Sequence, residues 1–249
     1  MKTLPAVVAL FTSLSLLALP VSAGSVEDAL NKPGRLASDQ ERDARSRPDQ
    51  VIPLLALEEG DRVADVFGGS GYYAELLASV VGESGEVILQ NNDAYAQFVG
   101  EALAERFDGR DPGNITRLMS EAGDLKLGTG LDAAMIVMSY HDLFYDDAEN
   151  GWPQIDEVDF IGQIRAALKP GGRFLIVDHA APAGTAAAAT KSLHRIDEAY
   201  VIKRLSSQGF RLVGSSEVLR NPQDNHSTLV FDPAIRGKTD RFVLVFEKA

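Results

Sequence analysis

Residues 62–81 read RVADVFGGSGYYAELLASVV, a buried strand, a glycine-rich turn and the opening of an amphipathic helix. The strand is Val63, Ala64, Val66 and Phe67 around one embedded acid, Asp65. Gly68, Gly69 and Gly71, with Ser70 among them, let the backbone turn tightly and approach a ligand with no Cβ in the way. Tyr73, Leu76, Leu77, Val80 and Val81 then recur at helical spacing, which turns one face to a core. A unit of this kind cradles a nucleotide-type cofactor.

Downstream the pattern is regular. Val87 to Leu89 reads as a strand, Ala94 to Phe107 as a helix, Ile115 to Met119 as a short strand and Ala133 to Met138 as a continuous apolar run. Val158, Ile161, Ile164 and Leu168 form a helix face stopped by Pro170-Gly171-Gly172; Phe174 to Val177 is another buried strand, and Leu193, Ile196 and Tyr200 mark a further helix. Apolar runs without alternation, separated by helices, predict an α/β fold: a doubly wound, mostly parallel, seven-stranded Rossmann-like sheet with helices on both faces. The last two strands, Phe210 to Val213 and Phe242 to Phe246, have no helix between them. They are expected to pair as a C-terminal antiparallel hairpin across a long loop, Asn221 to Asp240.

Working toward the N-terminus, residues 24–48 are polar, carry Pro33 and Pro48, and read as an arm or short helices lying over a domain that spans residues 49–249. Residues 1–23 have one positive charge at Lys2, an apolar run from Leu4 to Leu19, and small residues at Val21-Ser22-Ala23. That is the pattern of a cleaved secretory leader, so export, to the periplasm in a bacterium, is expected. The apolar run is shorter than the ~20 residues of a membrane span, and no stable membrane insertion is expected after cleavage.

Composition narrows the function classes. The absence of cysteine excludes disulfides, thiolate metal sites and a cysteine nucleophile. The chain carries 24 basic and 36 acidic residues, a net charge of −12, which disfavours a polyanionic partner such as nucleic acid.

The embedded acid and glycines of Asp65-Val-Phe-Gly-Gly-Ser-Gly71, the Leu168-Lys-Pro-Gly-Gly-Arg-Phe-Leu-Ile-Val177 segment, and the order of five strands followed by a hairpin resemble the class I S-adenosylmethionine-dependent methyltransferases. More narrowly, the chain is similar to bacterial methyltransferase-like proteins with secretory leaders. The resemblance covers about residues 49–248 and implies S-adenosyl-L-methionine as cofactor and a small-molecule methyl acceptor. It implies that Gly68, Gly69, Ser70 and Gly71 pack against the donor's amino-acid end while Asp65 orients it. Asn91 stands where an acid usually holds the ribose, Glu121 where an acid meets the adenine amino group, and Tyr140 at the adenine or acceptor pocket. Phe67 replaces the first glycine of the usual pattern, with a ring that either crowds the cofactor or packs under the loop.

Two other readings fit parts of the chain. Gly69-Ser-Gly71-Tyr-Tyr-Ala74 satisfies G-x-G-x-x-A, and Asp93 lies about 20 residues on, as in NAD-binding oxidoreductases. A non-catalytic binder of a nucleoside-like ligand would tolerate Phe67 and Asn91.

The four histidines, His141, His179, His194 and His226, fall near the carboxyl ends of the strands. His141, after the fourth strand, is the candidate general base, since in methyltransferases of this class that loop borders the methyl group. Metal assistance is a second mechanism, through Asp142, Asp178, His179 and His141, although no spacing is diagnostic and the sequence assigns no metal site. His194, Asp197 and Glu198 are expected on one helix face. Residues 220–240 are expected to act as a lid or an edge cover.

Overall fold

The computed structural model describes residues 25–110 and 113–249; the leader-like segment lies outside the described residues. Three short helices come first, α1 (Val26–Asn31), α2 (Ala37–Ser46) and α3 (Pro48–Val51). Strand β1 (Arg62–Val66) leads through the glycine turn into α4 (Tyr72–Val81), followed by β2 (Glu86–Asn91), α5 (Asp93–Phe107), β3 (Ile115–Met119) and β4 (Leu131–Val137). Then come α6 (Glu157–Ala167), β5 (Leu168–His179), the short α7 (Thr190–Leu193), α8 (Glu198–Ser207), β6 (Phe210–Ser216) and β7 (Arg241–Lys248).

The strands form one seven-stranded sheet in the order β3-β2-β1-β4-β5-β7-β6. Its first five strands pair in parallel, β7 pairs antiparallel with both β5 and β6, and the expected fold class holds. Strand side chains alternate between faces. Phe174, Ile176, Phe242, Leu244 and Phe246 enter one core layer with α6 and α8; Leu175, Val177, Val243 and Val245 enter the other with α3 and α4. Large rings on one face and branched aliphatics on the other set the two layers, each buried ring contributing roughly 2 kcal/mol of transfer free energy. No helix among the described residues is long and apolar enough to cross a membrane.

Two local expectations are corrected. Val158 does not belong to the buried face of α6: it is exposed while Phe160 is fully buried, because Asp156 caps the helix through the Val158 and Asp159 N–H groups and so sets its rotation. No single helix runs from Leu193 to Tyr200. α7 ends at His194 in the left-handed region (φ 52°), Ile196 bridges to Ala180, and Asp197 begins α8 by accepting the Ala199 N–H. His194 and Asp197 therefore do not share a helix face.

The long connection 217–240 is ordered by a buried pair. Arg195 donates to both oxygens of Asp224 (2.8 and 3.0 Å) and to the carbonyls of Ala180 and Thr228, and Asp224 also accepts the Asp240 N–H at 2.6 Å.

Candidate functional site

A cavity of about 860 Å³ opens at the carboxyl edge of the parallel strands, bordered by the loop after β1, the loop after β4, the start of α5, the arm and the 217–240 connection. This is the edge at which open α/β sheets bind ligands, and the volume is at the upper end of the ~300–1,000 Å³ usual for small-molecule sites.

The glycine loop is fixed by polar groups from β2 and α5. Phe67 N–H donates to Gln90 Oε1 (3.2 Å), and Gly68 N–H to the Gln90 carbonyl (3.2 Å). Gly69 exchanges two hydrogen bonds with the Asn91 amide, both 2.9 Å. Arg106 Nε donates to the Ser70 carbonyl. Glycine is required at 68 for space: a Cβ there would sit 2.5 Å from Asp65 Cγ and 2.6 Å from Leu89 Cδ1. Gly71, at φ 80°, begins α4 in a conformation that side chains disfavour.

Asp65 lies beneath this loop, 1 % exposed, with Oδ2 lacking any protein partner. Burial pushes its carboxyl up to about 7, against the opposing pull of Arg42 and Arg106. A buried acid with an orphan oxygen under a bare backbone turn fits a ligand that brings a positive charge.

The Phe67 ring does not block the loop. It stacks on Tyr95 (centroids 4.6 Å) and packs against Phe160 (5.0 Å) within the core. Its backbone has φ 50°, and Met138 (φ 55°) and His194 (φ 52°) share this left-handed strain; all three line the cavity.

The opposite wall carries His141, from the turn after β4. Its imidazole is buried between two carboxylates: Nδ1 faces Asp178 Oδ1 at 2.8 Å and Nε2 faces Asp142 Oδ1 at 3.1 Å, with His194 Nδ1 3.2 Å from Nε2. Burial alone would lower its pKa, but the charges of Asp142 and Asp178 overcome that and raise it to about 10. Asp142 is held well below the usual carboxylate range: burial works against this, and His141 outweighs it. In this state His141 is an imidazolium, which cannot itself accept a proton from an acceptor near neutral pH. His179 is pushed well below its ordinary value by burial and by the charge of His141, and its Nδ1 meets Thr239 Oγ1 at 2.7 Å.

Of the residues expected at the site, Gly68, Gly69, Ser70 and His141 line the cavity, as do Asp142, His179 and His194. Asp65, Gly71 and Asn91 support the glycine loop from behind. Tyr140 lies fully buried in the core with its hydroxyl on Glu157 (2.8 Å), and Glu121 is exposed and accepts the Asp93 N–H at 3.4 Å. Neither reaches the cavity. His226 pairs with Asp240 (3.0 Å) outside it.

The arm supplies what sequence reasoning missed. Arg42, Arg45 and Ser46 line the cavity together with Arg236 and Arg241. Arg241 is 7 % exposed, its Nε is unpartnered, and burial together with Arg42 and Arg45 lowers its pKa. This basic wall fits an anionic group such as a carboxylate. The arm is clamped through Arg106, which pairs with Asp39 of α2 (2.6 Å) and Glu75 of α4, and through Tyr72, whose hydroxyl donates to Asp43 (2.7 Å). The only advance signal was the density of arginine and aspartate in residues 35–47.

Comparison with known proteins places this geometry. The profile of the protein-L-isoaspartate(D-aspartate) O-methyltransferase family matches residues 31–103. The ubiquinone/menaquinone biosynthesis C-methyltransferase UbiE of Pseudomonas aeruginosa PAO1 is 25% identical over 171 residues, 68% of this chain and 59% of that protein. The chain thus spans about three fifths of the length of that relative. The crystal structure of an S-adenosylmethionine-dependent methyltransferase from Aquifex aeolicus superposes with a TM-score of 0.56 at 21% identity, over 86% of this chain and 98% of that one. Fibrillarin from Aeropyrum pernix, solved with natively bound S-adenosyl-L-methionine, matches with a TM-score of 0.50 at 18% identity, over 82% of this chain and 73% of that one. The chain has the fold of these methyltransferases.

Proposed function

We propose that this protein is an S-adenosyl-L-methionine-dependent methyltransferase acting on a small molecule in the cavity between the glycine loop and His141. The observation that carries the reading is the orphan oxygen of Asp65 directly beneath Gly68, where a Cβ has no room, on a sheet of methyltransferase topology. The residues present fit the donor. The Gly68–Ser70 backbone suits its amino-acid end, with Asp65 placing negative charge beneath that loop, the arginines Arg42, Arg45 and Arg241 suit its carboxylate, and Tyr95, Phe98 and Val99 offer an apolar wall for a flat ring.

When bound, the donor supplies a sulfonium methyl already activated for transfer, so the chain's task is chiefly to position the nucleophile and exclude water. Trp152, Tyr145, Val230 and Phe231 supply apolar surface for the acceptor, and the 217–240 connection covers it from above. As an imidazolium, His141 donates toward Asp142 or His194 and offsets part of the negative charge of Asp142 and Asp178; the acceptor's proton must leave to another base or to solvent. Small-molecule methylation is favoured over a nucleic-acid target by the chain's net charge of −12. The leader-like residues 1–23 support an exported enzyme, periplasmic in a bacterium.

Calorimetric titration of the purified protein with S-adenosylmethionine, S-adenosylhomocysteine and NAD tests the reading. Micromolar binding of both sulfur compounds and none of NAD is expected. Heat from NAD alone would replace the reading with a dinucleotide enzyme, and donor binding with no turnover on any acceptor panel would leave a ligand-binding protein.

A further inference from the structure

Three atoms at the cavity wall point at one another. His141 Nε2, Asp142 Oδ1 and His194 Nδ1 are separated by 3.1 Å (His141 to Asp142), 3.2 Å (His141 to His194) and 3.6 Å (Asp142 to His194). Two ligands bound ~2.1 Å from one ion at angles between square and tetrahedral are about 3.0–3.4 Å apart, so the triangle is close to the size a single metal ion needs.

The orientation of each group is enforced from behind. Asp178, completely buried, accepts from the His141 backbone N–H (2.8 Å) and from the His179 N–H (2.7 Å). With those bonds fixing it, Asp178 Oδ1 takes the proton-bearing Nδ1 of His141, which leaves Nε2 as the free ring nitrogen. A carboxylate behind a histidine in this way fixes its tautomer and raises its basicity toward a metal. Tyr95 donates its hydroxyl to Asp142 Oδ2, turning Oδ1 toward the two imidazoles. His194 is held by its left-handed backbone and by ring contacts to Tyr145 (4.9 Å) and Phe231 (4.8 Å). Without a metal, ring protons of His141 and His194 satisfy Asp142 Oδ1 in this triangle; a divalent cation at its centre would displace them and take the same three atoms as ligands.

We propose that His141 Nε2, Asp142 Oδ1 and His194 Nδ1 bind one divalent first-row transition-metal ion at the wall of the cavity. Two imidazoles and one carboxylate suit Zn²⁺, Mn²⁺, Fe²⁺ or Co²⁺ rather than Mg²⁺ or Ca²⁺, which take oxygen ligands. Because all three residues line the cavity, the remaining coordination positions face it, as in catalytic rather than structural sites. His179 and Asp178 support the set and are not ligands. The consequence for the acceptor rests on the methyl-transfer reading: the ion selects an acceptor with a hydroxyl or other ionisable oxygen or nitrogen. That group releases its proton to solvent, and it takes the methyl as the donor's carbon–sulfur bond breaks to leave a neutral thioether.

The test measures the metal without the donor. Full-length protein stripped by chelator is dialysed against Zn²⁺, Mn²⁺, Fe²⁺ and Co²⁺ in turn, and bound metal is counted per chain. One equivalent is expected, with Co²⁺ giving visible d–d absorption shaped by nitrogen ligation. His194→Ala and Asp142→Asn are expected to lose it, Asp178→Asn to weaken it 10–100-fold, and His226→Ala to leave it unchanged. His194, the most exposed of the three, gives the variant that keeps its fold, verified by circular dichroism. Failure of every ion to bind tighter than about 100 µM, or equal binding by wild type and His194→Ala, overturns the proposal. Donor titration of the same stripped sample separates this failure from failure of the methyltransferase reading.

Discussion

Asn91 grips Gly69 by both backbone groups: its Nδ2 donates to the Gly69 carbonyl and its Oδ1 accepts the Gly69 N–H, each at 2.9 Å. An amide makes this reciprocal pair, whereas a carboxylate has no proton for the carbonyl. The residue that stands where ribose binding was expected thus shapes the glycine loop. At ~1 kcal/mol per hydrogen bond, Asn91→Ala is expected to cost 1–2 kcal/mol of stability and about tenfold in donor affinity. Asn91→Asp, which sets an oxygen against the Gly69 carbonyl, is expected to weaken the donor at least as much. Calorimetry and thermal melting check both; unchanged affinity in both variants would detach Asn91 from the site.

Gly68→Ala tests the cradle. The added methyl would lie 2.5 Å from Asp65 Cγ and 2.6 Å from Leu89 Cδ1, so the loop must lift or the acid must move. Overpacking of this kind costs ~1–3 kcal/mol. Donor binding is expected to disappear while the melting temperature falls by only a few degrees, since the clash is confined to the loop.

The fold was legible because its signals are local and repeated. Continuous apolar runs at β1, β4 and β5, and the absence of a helix between β6 and β7, report a parallel sheet with a terminal hairpin wherever the partners lie. Asp65 and its glycines were legible for the same reason. The arginines of the cavity were not. Arg42 and Arg45 meet Arg241 across nearly the whole chain, and nothing in a polar arm announces which groups it will face. His194 was misplaced because helical spacing at Leu193, Ile196 and Tyr200 concealed a break, set by the Asp197 cap and the Ile196–Ala180 bridge. The break is what swings His194 against His141.

Asp65 should report its burial through pH. Its folded pKa of about 7 lies above the unfolded value of ~3.9, so the native state holds the proton longer and stability declines as pH rises from about 4 to 7, then levels. Asp65→Asn removes this penalty. The variant is expected to be more stable than wild type at pH 8, by on the order of 1–4 kcal/mol, and no more stable at pH 4. It is also expected to bind the donor at least tenfold more weakly. A gain in stability independent of pH would sink the assignment.

Arg106 couples the arm to the glycine loop. Its guanidinium joins Asp39 and Glu75, while its Nε holds the Ser70 carbonyl. Arg106→Met leaves two buried carboxylates facing each other, a loss of ~3–5 kcal/mol. Trypsin is then expected to cut within residues 35–47 under conditions where wild type resists. Donor affinity should fall in parallel, because Arg42 and Arg45 leave the cavity wall with the arm.

His141 gives a slope at the opposite end of the pH scale. In metal-free protein its pKa of about 10 exceeds the unfolded ~6.5, so its contribution is complete below pH 6.5 and is lost as pH rises toward 10. Asp142, held below its ordinary range, contributes above ~4 and loses its contribution under acid. Together they set greatest stability between about pH 4 and 6.5, with a decline of a few kcal/mol toward pH 10. His141→Gln keeps hydrogen bonding near Asp178 and removes the titration. Melting curves of the variant should be lower at pH 6 and converge on wild type by pH 10. Parallel curves, offset equally at both ends, would mean that the imidazole between Asp142 and Asp178 is not charged.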